Sequence, residues 1–153
     1  MEINVVVALF GGVIATVAMT ALMAAAPMMG LPKMDMPGLL GSMFGAPGSR
    51  LMGLAMHFMM GAVFGVVYAV LFNLVVGANP LPLGALFGTV HWIVAGTMVG
   101  MMPAMHAGIK SGRVQAPGFF MMNFGGAMGF MGGLLGHVVF GIVFALAYQV
   151  LVG

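Results

Sequence analysis

Formal charge is absent from two long stretches of this sequence. No Asp, Glu, Lys or Arg occurs between Arg50 and Lys110, and none follows Arg113. Only 4% of the 153 residues are charged and 63% are hydrophobic, whereas about a quarter of a soluble domain is charged. An uncharged apolar run needs about 20 residues to cross a bilayer as a helix. The sequence therefore predicts an integral membrane protein built of α-helices.

Prolines, glycines and the few polar residues divide the chain into four apolar runs. These predicted spans cover residues 5–26, 51–76, 83–102 and 131–152. Pro27, Pro103 and a turn at 77–82 separate them, because proline lacks a backbone donor and Gly and Asn favour turns. A kinked or interfacial segment is expected at 117–130, before the last span. We expect one transmembrane domain, residues 1–153, folded as an all-α four-helix bundle.

The cations predict how the bundle is oriented. All of them fall in the two loops that four spans would place on the same side of the membrane: Lys33, Arg50, Lys110 and Arg113. The positive-inside rule assigns loops 27–50 and 103–117 to the cytoplasm. Both termini and the turn at Asn79 then face outward.

The two halves of the chain resemble each other. At an offset of 80 residues Pro37 meets Pro117 and His57 meets His137, while Pro27 meets Pro103 at an offset of 76. Further matches are Gly53 with Gly133, Gly61 with Gly141, Phe64 with Phe144, Tyr68 with Tyr148 and Leu71 with Leu151. The pattern predicts a tandem duplication with repeat one at 1–77 and repeat two at 82–153. Because each repeat holds two spans, the repeats would be parallel and related by a pseudo-twofold axis along the membrane normal.

The repeated residues follow steps of three and four along the second and fourth spans, so they share one face of each helix. Small residues on such a face let another helix come close. We expect this face to point into the bundle. The residues expected to pack there are Gly53, Gly61, Gly133, Gly141, Tyr68 and Tyr148.

Histidines are the residues most suggestive of a site. An ionisable group inside a membrane is costly and indicates function, although a neutral imidazole can also be satisfied by one interhelical hydrogen bond. His57 and His137 lie at matching depths on the second and fourth spans, an arrangement suited to a haem b between facing helices. Arg50 lies on the same face as His57 and is the candidate partner of a haem propionate.

The 20 methionines of the sequence support a copper site as the alternative to haem. Thioethers together with imidazoles favour Cu(I). The candidate metal ligands are His57, His137, His91, His106 and Met105. Methionine is also a flexible filler of apolar cores, so its abundance is equally compatible with packing.

Other classes of function have little support. The sequence has no cysteine and only two carboxylates, Glu2 and Asp35, so hydrolytic and thiolate chemistry lack their groups. A net charge of +2 without a dense basic patch argues against nucleic acid as a partner.

We expect a non-enzymatic membrane subunit that packs within or against a larger membrane complex. Its partners would be the lipid bilayer and other subunits or a second copy. The alternative is a haem b or copper-binding membrane protein in electron transfer or metal handling.

Two motifs resemble those of a known group of proteins. They are Lys33-Met34-Asp35-Met36-Pro37-Gly38 in a loop and His57-x-x-x-Gly61-x-x-Phe64-Gly65-x-x-Tyr68 in a span. This combination resembles small multi-pass bacterial inner-membrane proteins of unknown function. The resemblance implies a location in the bacterial plasma membrane, and it implies no activity.

Overall fold

The computed structural model describes residues 3–44, 48–75 and 79–152, and within these ranges it is all-helical, without a β-strand. The long helices are α1 (Val5–Ala25), α3 (Arg50–Leu74), α4 (Pro80–Met101) and α6 (Ala127–Val152). Short helices α2 (Met36–Gly41) and α5 (Ala107–Lys110) follow α1 and α4, and 3₁₀ turns occupy Ala26–Met29, Met102–Ala104 and Phe119–Met121. Each long helix is apolar enough, and long enough, to cross a membrane.

The four long helices occupy the four apolar runs, which confirms the prediction of an all-helical chain with four long apolar helices. The start of α4 differs from the prediction. The sequence predicts a break at 77–82, but α4 already begins at Pro80, because proline is tolerated in a first turn whose N–H groups lack helical partners. The Asn79 side chain caps this end by accepting from the Leu81 N–H at 3.1 Å. Residues 76–78 lie outside the described residues.

Helices α1 and α3 cross where both have small residues. A Cβ at Gly12 would overlap the backbone carbonyl of Gly61, and a Cβ at Gly65 would overlap that of Ala8. Thr16 lies directly over Gly61, and its hydroxyl donates to the Gly12 carbonyl at 2.7 Å. The two backbones can approach this closely only because side chains are missing between them.

Helices α4 and α6 cross in the same manner. Gly84 and Gly141 lie against each other's backbone, and Ala145 packs beside Gly84. Gly88 contacts the backbone carbonyl of His137, which fixes the height of this histidine relative to α4. This is the most extensive contact between any two helices among the described residues.

The order of the long helices around the bundle is α3, α1, α6, α4. Helix α1 packs along α6, where the Phe144 ring covers Gly11 and the Met19 side chain meets Gly136. The backbones of α3 and α4, in contrast, scarcely approach each other, and α3 makes few contacts with α6. Ring side chains fill the resulting space between α3 and the α4–α6 pair: Phe64, Tyr68, Phe72, Phe87 and His91.

Bulky apolar side chains cover the outer faces of all the long helices. Exposed examples are Phe10 and Val17 on α1, Met59 and Val63 on α3, Val90 and Ile93 on α4, and Met131 and Val150 on α6. The buried positions of the same helices are mainly glycine and alanine. Large apolar groups therefore lie outside and small ones inside, the reverse of a water-soluble bundle.

The loops that follow α1 and α4 meet at one end of the bundle. The N–H groups of Ala107 and Gly108 donate to the carbonyls of Met43 and Ser42, both at 3.1 Å. Helix α2 lies on α3, where Gly53 contacts the Pro37 carbonyl. The cation-containing loops are therefore neighbours.

The segment before α6 is irregular, as the kinked segment predicted at 117–130 implies. Phe120 and Met121 have positive φ values of 51° and 58°, a region that side chains rarely adopt. The conformation is held by packing, since Met121 is buried and the Phe120 ring presses on Gly96 of α4. Helix α6 starts at Ala127, four residues before the predicted boundary at 131.

Replacing a crossing glycine should weaken the bundle. In Gly61→Leu the new side chain must displace Thr16, and we expect a loss of about 1–3 kcal/mol in the free energy of unfolding. The exposed neighbour Val63→Leu serves as the matched control and should change it by less than about 0.5 kcal/mol. Denaturation in mixed micelles measures both, and equal midpoints for the two variants would contradict the packing described.

Candidate functional site

The four histidines occupy three different environments. His91 of α4 and His137 of α6 lie side by side in the interior of the bundle. His57 is buried on α3 against Phe58 and does not stack on the pair. His106 lies in the loop after α4. Alignment of the two halves of the sequence pairs His57 with His137, but the imidazole that meets His137 is that of His91.

His91 and His137 form a perpendicular imidazole pair. Their ring centroids are 4.7 Å apart and their planes are inclined by 88°. The Nδ1 atom of His137 is 2.8 Å from the Gly133 carbonyl oxygen, one turn back along α6. A carbonyl can only accept a hydrogen bond, so Nδ1 carries the proton and Nε2 keeps its lone pair.

Tyr68 and Phe64 hold His91 from the side of α3. The Tyr68 hydroxyl is 3.3 Å from His91 Nδ1, and the Phe64 ring stacks on the imidazole at a centroid distance of 4.0 Å. Both side chains come from the predicted packing face of α3. The sequence shows that Tyr68 is on this face, but it does not show which histidine the hydroxyl reaches.

Trp92 is a member of the cluster that the sequence analysis missed. Its indole is almost fully buried, lies 5.0 Å from the His137 ring, and covers Gly133. Trp92 Nε1 and His57 Nε2 are buried without a hydrogen-bond partner among the described residues. The sequence feature that could have pointed to Trp92 is that the single tryptophan of the chain directly follows His91.

His106 has a structural environment. Its Nε2–H donates to the Leu39 carbonyl at 2.9 Å, and its Nδ1 accepts from the Ile109 N–H at 3.1 Å, so one neutral tautomer satisfies both. The residue is fully buried and caps α5. The adjacent Met105, also a predicted metal ligand, is 74% exposed. With both nitrogens engaged, His106 has no lone pair available for a metal.

Arg50 lies at the charged end of the bundle. Its guanidinium binds the Asp35 carboxylate at 2.9 Å, and both side chains are largely exposed. Asp35 also accepts from the Gly38 N–H at 3.0 Å as the cap of α2. A haem propionate would have to compete with Asp35 for this guanidinium. A cleft of about 190 Å³ beside Asp35 is lined by residues of α2 and of the two loops, and no histidine borders it.

The residues predicted to pack have partners within the chain. Gly61 and Gly141 lie at the two long crossings, Gly133 lies under Trp92, and Gly53 lies under α2. Tyr68 is buried in the ring cluster, and Tyr148 stacks on Phe144 one turn away at 5.4 Å.

Metal-binding groups are sparse in this arrangement. Across residues 3–44, 48–75 and 79–152, no set of three or more His, Asp or Glu side chains is grouped to hold a metal ion. The chemistry available in the bundle interior is that of the adjacent His91 and His137 imidazoles, the Tyr68 phenol, and the buried His57 imidazole and Trp92 indole, in apolar surroundings. Such a cluster can accept hydrogen bonds or offer nitrogen lone pairs.

Loss of His106 should destabilise the junction of the two loops. His106→Ala leaves the buried Leu39 carbonyl and the Ile109 N–H unpaired, and we expect a cost of about 1–3 kcal/mol. His106→Asn retains a side chain that can cap α5, so it should recover part of the lost stability. Thermal unfolding in detergent measures both, and a wild-type midpoint for His106→Ala would show that the hydrogen bonds do not stabilise the fold.

Comparison with known proteins gives a single result. No curated protein and no solved structure matches the chain. The sequence profile of a family of unknown function, DUF6789, matches residues 3–153, nearly the whole length. The chain therefore belongs to this family of unknown function (DUF6789).

Proposed function

We propose that this protein is an integral, non-enzymatic subunit of the bacterial plasma membrane, packed against other subunits of a membrane complex. One observation carries the proposal: bulky apolar side chains cover the outer faces of all four long helices, while their small residues are turned inward. That distribution suits a solvent of lipid tails. In water it would leave an extended apolar surface exposed.

The dimensions of the helices support membrane insertion. Helix α1 has 21 residues and α6 has 26. At 1.5 Å per residue they measure about 32 and 39 Å, against about 30 Å for the hydrocarbon core. Helices also satisfy their own backbone groups, as a bilayer requires.

The charged end would face the cytoplasm. Lys33, Arg50, Lys110 and Arg113 all belong to the loops at that end, and cations are retained on the cytoplasmic side. Asn79, at the start of α4, would lie outside.

The two-repeat organisation is part of the same proposal. The pair α1–α3 and the pair α4–α6 would be the two units, each held by glycines at its own crossing. The relation between them would be approximate, because α1 packs along α6 whereas α3 and α4 stay apart.

Participation in a complex is supported by how the segments between the long helices are arranged. The segments after α1 and after α4 form short helices and turns, and they bond to each other across one end of the bundle. A partner would therefore bind in the bilayer or at its edge, along the outer faces of the helices.

Cysteine labelling tests location and orientation. Because the chain has no cysteine, single substitutions Asn79→Cys and Ser111→Cys give unambiguous signals. We expect a membrane-impermeant maleimide to label Asn79→Cys in intact cells, and Ser111→Cys only after permeabilisation. Both variants should remain in the membrane after alkaline carbonate washing. The reverse labelling pattern would overturn the orientation, and release by carbonate would overturn insertion.

Photo-crosslinking in living cells tests the subunit role. Azidophenylalanine at Val63 or Ile93, which are 56% and 54% exposed on α3 and α4, should give a discrete protein adduct at one or both positions. The same group at the buried Tyr68, which it nearly matches in shape, should give none. Adducts with lipid alone at both outer positions would contradict membership of a complex.

A further inference from the structure

The cleft beside Asp35 lies where the two cation-containing loops meet. One wall comes from the segment after α1 and from α2, and it includes Lys33 and Leu39. The other wall comes from the segment that leads to α6, and it includes Gln115 and Phe124. Hydrogen bonds between the two loops hold these segments together. The shape of the cleft is therefore set by the junction of the loops.

The lining of the cleft combines apolar and polar side chains. Leu39 is buried, and Val114 and Phe124 are partly buried, so these residues offer an apolar surface. Lys33 and Gln115 are exposed and contribute an ammonium and an amide group. A ligand that matches this lining carries a polar or charged group joined to an apolar part.

Positive charge dominates this end of the bundle. Its charged residues are four cations and one carboxylate, which give a net formal charge of +3: Lys33, Arg50, Lys110, Arg113 and Asp35. The Arg50 guanidinium binds both oxygens of Asp35, at 2.9 and 3.0 Å, which offsets the charge of the carboxylate. Lys33 makes no ion pair within the part of the chain that the structure describes. The charge complement of the cleft is therefore an anion.

The volume of the cleft, about 190 Å³, limits how much of a ligand can enter. Sites that enclose a whole small molecule usually measure about 300–1,000 Å³. This cleft therefore accommodates a small anionic group such as a phosphate, and the remainder of the ligand lies outside it.

Exposed apolar side chains lie near the cleft in the sequence. Phe119, Met122 and Met128 flank the wall residue Phe124 and are 55%, 53% and 44% exposed. Exposed apolar groups of this kind are typical of surfaces that contact membranes or other proteins. In the proposed membrane location, they would meet lipid at the level of the headgroups.

We infer that the cleft binds the phosphate-containing headgroup of one anionic phospholipid, whose acyl chains remain in the bilayer. Lys33 pairs with the phosphate, and Val114 and Phe124 contact the glycerol backbone of the lipid. The Gln115 Nε2–H donates to the Asn123 carbonyl at 3.1 Å, so its Oε1 is left to accept from a headgroup hydroxyl. Basic pockets on the cytoplasmic side of membrane proteins bind anionic headgroups in this way. The inference rests on the proposed membrane insertion and adds a lipid partner to it.

Native mass spectrometry tests the site. The full chain in mild detergent is mixed with phosphatidylglycerol, phosphatidylethanolamine or phosphatidylcholine of the same acyl composition, and the bound lipids are counted. We expect one phosphatidylglycerol per chain, bound at least about fivefold more tightly than either of the zwitterionic lipids. Lys33→Gln should weaken this binding about fivefold or more, and Lys33→Arg, which keeps the charge, should retain most of it.

Lys110→Gln is the matched control. It removes the same charge from the same end of the bundle, but Lys110 is exposed and does not line the cleft. Because salt screens exposed charges, it should weaken binding less than about twofold. Val114→Phe changes no charge and places a ring in the cleft, so it should weaken binding about as much as Lys33→Gln. Thermal midpoints in detergent establish that each variant is folded.

Four outcomes would overturn the inference. Equal losses in Lys33→Gln and Lys110→Gln would show diffuse surface charge instead of a site. Equally tight binding of phosphatidylethanolamine would show that Asp35 holds the headgroup amine. Displacement of the lipid by an equimolar amount of glycerol 3-phosphate would show that the ligand is a soluble phosphate ester. Equal binding of phosphatidylcholine would show that no anion is selected. None of these results bears on membrane insertion, which carbonate washing and cysteine labelling test separately.

Discussion

Close approach of helix backbones at small residues is the contact on which the rest of the structure depends. In the proposed bilayer environment, lipid tails would supply no hydrophobic force to bring the helices together, so their association would rely on short-range van der Waals contact. Gly12 against Gly61 and Gly84 against Gly141 supply that contact in the two pairs of helices. The large apolar side chains are then free to cover the outside.

The imidazole pair follows from where this close packing stops. Glycines bring α1, α3, α4 and α6 together along three of the four sides of the bundle, and the side between α3 and α4 is left wide. Rings fill the space there, and among them lie the polar atoms of Tyr68, His91 and His137. Tyr68, His91 and His137 thus lie on the most loosely packed side of the bundle, whereas the buried Thr16 lies at the close crossing of α1 and α3.

Sequence reasoning predicts the helices of this protein well and its interior contacts poorly. The lack of charge between Arg50 and Lys110 is enough to indicate long apolar helices, because few other structures accommodate such a run. Helix geometry gives the depth of each residue along its own helix. It does not give which residues of the other helices lie beside it. His57 and His137 are equivalent by alignment, and equivalent residues need not touch. Contact with His137 comes instead from His91, whose partner depends on how α4 and α6 cross. His106 shows the same limit, since its bond to Leu39 joins two loops that are distant in sequence.

The contact between α1 and α6 joins the first long helix to the last. During synthesis α1 is made first. The Phe144 ring, which covers Gly11 of α1, is added only when α6 is translated. The pair α1–α3 can form early as a hairpin, whereas the complete bundle cannot close before the C-terminal helix has left the ribosome. In the proposed membrane location, the early hairpin would stand in the bilayer until then with this face of α1 uncovered.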